Sequence, residues 1–182
     1  MNTHLRFLLP FLLFVAADVA AQPCHKISAV DFRNGVIEIQ STPKVLDEPF
    51  RFRNGVFDET ELPGGGAVEW RFQISKDLTV HPVPRTTIRF IQISGDHLRG
   101  TGTRNYVLGF QCADGNVKNI FEQEGEGLML VSATSDIVQV SSPVWKSSDA
   151  HCCPSEEKKT WFSWDKVSGG YVEKDSTKTS AP

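Results

Sequence analysis

Clustered basic residues, paired CxxC motifs and any convincing helical period are missing from this 182-residue chain. Each absence removes a class of function. Lysines and arginines are scattered and the net charge is −3, so no electrostatic footprint for nucleic acid or another polyanion exists. Without paired CxxC motifs a structural zinc site lacks its usual ligand spacing. No Gly-x-Ser-x-Gly elbow is present, which removes the most specific sequence mark of a serine hydrolase. Beyond the N-terminus no run is apolar enough to cross a membrane.

What is present begins with an export signal. His4 and Arg6 precede an apolar run from Phe7 to Ala17 that is too short to span a bilayer, and Val19-Ala20-Ala21 supplies the small residues of a cleavage site. The expectation is a signal peptide over 1–21 and a mature chain beginning near Gln22, with a retained membrane anchor as the alternative. Cys24 follows Gln22-Pro23 rather than a small-residue box, so lipid anchoring is not expected. The predicted product is periplasmic or secreted, with no stable membrane anchor after cleavage. Removing the signal takes away Arg6 and Asp18 and leaves the net charge unchanged.

From Lys26 onward the texture is that of short strands and turns. Asn34-Gly35 and Asn54-Gly55 each read as a hairpin turn, because both central positions of such turns need positive φ. They sit in a repeated pentapeptide, Phe-Arg-Asn-Gly-Val at 32–36 and 52–56. Pro63-Gly64-Gly65-Gly66 reads as a loop. Trp70, Phe72 and Ile74 alternate with polar residues, Lys76-Asp77 reads as a turn, and a further strand follows from Leu78 to Val83, with His81 on its polar side. Residues 86–93 carry apolar side chains on both faces, the mark of a central strand. A turn-rich loop is predicted over 94–105. In the next strand Tyr106, Leu108, Phe110 and Cys112 share one face, placing Cys112 on the core side of a buried strand.

Asp114-Gly115-Asn116 turns the chain into further short strands near 117–121, 128–131 and 136–140, and a last pair at 160–164 and 170–172. The predicted fold class is all-β: antiparallel hairpins forming a sandwich, barrel or meander, linked by disulfides. The domain plan is one β-rich domain over 22–172 and a polar, disordered tail over 173–182.

Chemistry-bearing residues concentrate in 147–164, which holds half of the four cysteines and two of the four tryptophans. Four cysteines in an exported chain imply two disulfides and allow three pairings. In one, Cys152 and Cys153 divide between Cys112 and Cys24, stapling the last hairpin to a central strand and to the N-terminus. In a second, the adjacent cysteines close an eight-membered ring that can present a rigid ligand-binding plate. Apart from any disulfide pairing, His151, Cys152 and Cys153 could instead bind a metal with His97 or Cys112. The staple needs neither an unusual peptide geometry nor reduced thiolates, and is the expectation. No metal or other cofactor is expected.

The loop around Asp96 has glycines at alternate positions but no carboxylate cluster, so calcium is not expected. Ser94, His97 and Asp96 or Asp114 make only a weak triad. Glu122, Glu124 and Glu126 alternate along a strand end and could line one side of a sheet, either as paired acids for glycoside hydrolysis or as a solvated edge that resists aggregation. Trp161 faces away from Phe162 and Trp164 and is either covered by a second layer or exposed for contact with a sugar or protein.

The string His151-Cys152-Cys153-Pro154-Ser155 ahead of Trp161-Phe162-Ser163-Trp164, with Val144-Trp145 before it and the strand ending at Cys112, resembles bacterial exported proteins of the LppP/LprE lipoprotein type. That resemblance covers roughly the second half of the mature chain. It implies an exported, disulfide-linked β-rich domain in which Cys112 pairs with one cysteine of the doublet, and it implies no defined activity. The chain departs from the pattern in lacking a lipobox at Cys24.

The functional expectation is a non-catalytic exported domain that binds an envelope or extracellular ligand, with His151 and Trp161 as its binding surface. No catalytic residue is assigned. The alternative is a secreted hydrolase using His97 or the Glu122, Glu124 and Glu126 cluster.

Overall fold

A computed structural model describes residues 24–39, 49–60, 68–150 and 153–180. The expected signal peptide therefore lies outside the described residues, as do His151, Cys152 and the loop at 63–66. Two single-turn 3-10 segments, Ile27–Ala29 and Phe32–Asn34, come first. Strands β1 (Val36–Ile37) and β2 (Phe50–Arg51) pair as a two-stranded ribbon. Strands β3 (Val56–Thr60), β4 (Val68–Val80), β5 (Ile88–His97), β6 (Thr103–Ala113) and β7 (Asn116–Gly125) form an antiparallel sheet in chain order. Strands β8 (Met129–Ala133), β9 (Ile137–Val144), β10 (Glu156–Asp165) and β11 (Gly170–Ser180) form a second, also in chain order.

The class is therefore all-β and antiparallel, a sandwich of two meanders whose sheets are not closed into a barrel. Each neighbouring pair is a hairpin, so tight turns carry much of the topology. Asp114 and Gly115 have φ of 54° and 76°, the pair of positive values that suits the turn to the twist of its strands. The turn after β10 is held by Asp165, whose carboxylate accepts the Val167 and Ser168 N–H groups at 3.0 and 3.1 Å.

The five-stranded sheet is buried on both faces, and β5 shows why. Ile91 and Ile93 face one core while Ile88 and Phe90 face another, all fully buried. The first core is capped by the N-terminal segment, where Phe32 meets Phe110 at 4.8 Å and Phe50 meets Phe72 at 4.8 Å between ring centroids. The second lies between the sheets, where Phe121 meets Phe162 at 4.9 Å and Phe90 meets Tyr171 at 5.4 Å. Arg89 fastens the cap to the sheet. Its guanidinium donates to Asp77 at 2.7 Å and to the Val30 carbonyl, and lies 5.0 Å from the centroid of the Phe32 ring.

A disulfide joins Cys24 to Cys112, and Cys24 N–H donates to the Gly115 carbonyl at 2.7 Å. This overturns the expected staple, in which the doublet would have supplied the partners of both cysteines. The reason is chain placement: the Cys24 N–H bond to the Gly115 carbonyl, in the turn that follows β6, sets Cys24 beside Cys112. Cys153 is disulfide-bonded too and takes neither of them. Disulfide bonding of this kind belongs to an oxidising, non-cytoplasmic environment. Among the described residues no helix is long and apolar enough to cross a membrane.

Four other expectations are corrected. Asn34-Gly35 forms no hairpin turn, because Asp31 accepts hydrogen bonds from Arg33 N–H and Asn34 Nδ2 and winds the segment into a 3-10 turn. Lys76-Asp77 does not end a strand. It follows a bulge within one continuous β4, with Lys76 reaching the Leu130 carbonyl at 2.7 Å. The loop predicted over 94–105 shrinks to 98–102, because β5 and β6 pair from Ile88 and Gln111 out to Asp96 and Thr103. The tail predicted to be disordered from 173 is strand to Ser180, since β11 pairs with β10 along its length, to Glu156 and Ser180.

Candidate functional site

Where the two sheets part beyond the second core, a crevice of about 370 Å³ opens at the end of β7. Gln123, Glu124, Gly125, Glu126 and Leu128 form one wall. Val140, Ser142, Pro143 and Trp145 from β9 and its end, with Lys158 and Thr160 from β10, form the other. The second wall follows from strand alternation. Phe162 and Val138 are cross-strand partners in the core, Thr160 and Val140 come next, and Lys158 and Ser142 follow. That inner face thus grades from apolar to polar along the strands.

The first wall is set by the turn between β7 and β8. Gly127 has φ of 60°, and a Cβ built there would lie 2.8 Å from Pro143 Cγ, so only glycine lets the turn sit against β9 without strain. Asn105 Nδ2 donates to the Leu128 carbonyl at 2.9 Å and ties the turn to β6. Glu124 accepts a hydrogen bond from the Tyr106 hydroxyl. Burial, followed by the Glu124 charge, pushes that phenol well above its ordinary value. The carboxylate is thereby positioned and the phenol held as a donor.

Trp145 begins the connection from β9 to β10 and leaves 37% of its surface open. The connection is closed at its base. Lys146 Nζ pairs with Glu156 Oε1 at 2.8 Å, and Asp149 Oδ2 accepts Lys146 N–H at 2.7 Å, Ser155 N–H at 2.9 Å and the Ser155 hydroxyl at 3.0 Å. The backbone N–H donors at Lys146 and Ser155 hold the Asp149 carboxyl below its ordinary value. Trp145 is consequently set on a fastened loop, which also carries the exposed Cys153.

The structure brings together only part of what the sequence singled out. Glu126 lines the crevice; Glu124 borders it along the strand but shares the cap-side face of the sheet with its cross-strand partner Tyr106, and Glu122 accepts from Asn119 Nδ2 at 2.8 Å outside it. His97 stands edge-on to Trp70, with centroids 5.0 Å apart, and its Nδ1 accepts Arg99 N–H at 3.3 Å. Registers place Glu124 opposite Tyr106 and Tyr106 opposite Ile93. His97 is therefore two strands away and four residues further along, roughly 16 Å, and shares no proton path with Glu124. Trp161 is half-buried on the outer face of the four-stranded sheet, between Gln139 and Asp175 on the flanking strands. His151 lies outside the described residues. His81 is exposed, as its place on the polar side predicts.

Trp145, Lys158, Gln123 and Ser142 carry no signal in the local pattern, since three strands must meet before they become neighbours. An exposed tryptophan just beyond a strand end is the one hint the sequence offers. Among the described residues no three metal-ligating side chains converge. Comparison with family models, with curated proteins and with solved structures returns no match.

Proposed function

We propose that this chain is an exported, non-catalytic binding domain, periplasmic or secreted, whose ligand occupies the crevice beside Trp145. One observation carries the reading: a 37% exposed indole on a loop fastened by Asp149 borders a cavity whose two walls hold opposite charges. Glu126 stands on one wall and Lys158 on the other. A concave site with an aromatic edge and a few fixed polar groups is the usual form of a small-ligand pocket. The N-terminal signal, the Cys24–Cys112 bond and the likeness of the His-Cys-Cys-Pro-Ser segment to exported lipoprotein-type domains support the location.

The test is a binding screen on the oxidised mature chain, beginning at Gln22, against metabolites, glycans and envelope fractions. Hits are repeated on Trp145→Ala. Binding that is lost in this variant supports the reading. Binding indifferent to Trp145, or turnover of any compound that His97→Ala or Glu124→Ala abolishes, overturns it.

A further inference from the structure

Resting on that reading, we infer that the ligand carries an oxyanion, a phosphate or a carboxylate, seated at the inner end of the crevice on Lys158, Lys178 and the Thr160 hydroxyl. Strand register builds the seat. Phe162 faces the core between the sheets, so Thr160 and Lys158, at successive alternate positions of β10, face the same side. Both line the crevice. Across from Lys158 stand Lys178 on β11 and Ser142 on β9.

Thr160 shows that the seat is more than a surface. It is only 7% exposed, and among the described residues its hydroxyl has no hydrogen-bond partner. No fully enclosed side-chain polar atom there lacks a partner, so this hydroxyl opens into the crevice that Thr160 lines. A nearly buried donor aimed at a cavity gains from an acceptor brought by a ligand.

Charge gives the class. Like charges directly across a strand pair repel, with Cβ atoms roughly 5 Å apart, and among the described residues neither Lys158 nor Lys178 has an ion-pair partner. The acids beside Lys158 on its own strand are engaged elsewhere, Glu156 by Lys146 at 2.8 Å and Glu157 by Lys159 at 3.3 Å. A lysine on an edge strand guards against unwanted pairing, which accounts for Lys178 on β11. It does not account for Lys158, half-buried on the interior strand β10. An oxyanion between the two ammonium groups replaces their repulsion with charge-assisted hydrogen bonds, and it accepts from the Thr160 and Ser142 hydroxyls as well. Glu126, on the opposite wall, is exposed in its turn, where water and salt screen its charge. A neutral ligand would leave the lysine pair as it is, and a cation would add to the repulsion.

Trp145 stands three residues beyond Ser142, roughly 10 Å along the chain. An anion on Lys158 therefore leaves space for a body of about one ring that reaches the indole. The volume of about 370 Å³, near the small end for ligand pockets, sets the same limit.

The experiment is calorimetry and saturation-transfer NMR on the oxidised mature chain with inorganic phosphate, phenyl phosphate, benzoate, benzyl alcohol and benzylamine, at low and at physiological salt. Phenyl phosphate and benzoate are expected to bind, more weakly as salt rises, and the neutral and cationic compounds at least about tenfold more weakly than they do. Lys158→Met should weaken both anions by about tenfold or more, the loss of one hydrogen bond to a charged group. The exposed Lys178→Met should cost no more than about fivefold, and Thr160→Val about fivefold. Trp145→Ala should weaken phenyl phosphate and leave inorganic phosphate, too small to reach the indole, unchanged. A thermal melt of each variant within a few degrees of the parent shows that the fold is kept. Anion binding that survives Lys158→Met overturns the inference, as does tightest binding of benzyl alcohol or benzylamine. If that binding depends on Trp145, the crevice reading stands without the oxyanion. Phenyl phosphate lost in Lys158→Met yet indifferent to Trp145 upholds the anion seat and overturns the role of the indole. Failure of all five compounds and of every envelope fraction removes both.

Discussion

Replacing Cys24 and Cys112 together by alanine removes the cross-link between the N-terminal cap and the end of β6, and the size of the loss follows from the loop it closes. The two cysteines are 88 residues apart. The loop-closure relation then takes roughly 15 cal/mol/K from the unfolded chain, or ~4.6 kcal/mol at 25 °C. Residual structure in the unfolded chain lowers this figure, so a loss of about 3 to 5 kcal/mol is expected. For a domain of this size that is a fall in melting temperature of roughly 6 to 20 °C. The assay is urea denaturation of the oxidised parent and the double variant, followed by fluorescence and by far-UV circular dichroism. Non-reducing peptide mapping of the parent comes first and should recover Cys24 bonded to Cys112, with Cys153 in a separate bonded peptide. A loss below about 1.5 kcal/mol would refute the reasoning, because it would mean that the cap does not unfold with the sheets. A mapped bond from Cys112 to either member of the doublet would refute it more directly.

Arg89→Met should destabilise by about 2 to 4 kcal/mol, measured by urea denaturation, since Asp77 and the Val30 carbonyl lose a charged donor at a site where the Arg89 side chain is only 14% exposed; an unchanged midpoint would show that the cap is held without it. Gly127→Ala should cost about 1 to 3 kcal/mol by thermal melt, from positive φ and from the Pro143 contact together, and a neutral result would remove the steric account of the turn. The Asp149 carboxyl should titrate below the ordinary aspartate value of about 3.9 in a carbon-detected NMR pH series. Its depressed value means that its contribution to the loop is present above the unfolded value and is lost as pH falls through the folded one. A midpoint at or above the ordinary value would show that the Lys146 and Ser155 hydrogen bonds do not persist in solution.

Patterns that depend on immediate neighbours were legible in the sequence. The turn at Asp114-Gly115 follows from two residues that accept positive φ, and the burial of β5 on both faces follows from apolar side chains at Ile88, Phe90, Ile91 and Ile93. Patterns that depend on distant partners were not. Lys76 and Asp77 look like a turn because they are charged, yet one reaches the Leu130 carbonyl and the other meets Arg89. The polar run after Glu173 looks disordered because it has nothing to bury, yet its backbone is paired with β10, and composition does not register backbone hydrogen bonds. The candidate site divides in the same way. Glu126 stood out as part of a local alternation of acids, whereas the opposing wall comes from residues about 15 to 35 positions further on and exists only because β9 and β10 pair in a particular register.

The repeated pentapeptide makes the division sharpest, because composition is held constant. In the second copy Asn54 and Gly55 take φ of 53° and 81° and turn the chain. In the first copy the same Asn-Gly pair does not, since Asp31 stands ahead of it and captures Arg33 N–H and Asn34 Nδ2. The two copies then meet. Phe52 N–H donates to the Gly35 carbonyl, Gly55 N–H to the Arg33 carbonyl, and Asn54 N–H to Asn34 Oδ1. Phe32 and Phe52 enter the same core. The repeat is thus neither a solenoid unit nor a pair of like hairpins, but a self-contact in which one copy is bent so that it can hold the other. That contact forms the cap, Arg89 and the Cys24–Cys112 bond fasten it, and the first face of the five-stranded sheet is closed by it. With that face covered, the opening between the sheets at Trp145 offers a concave surface on the other side.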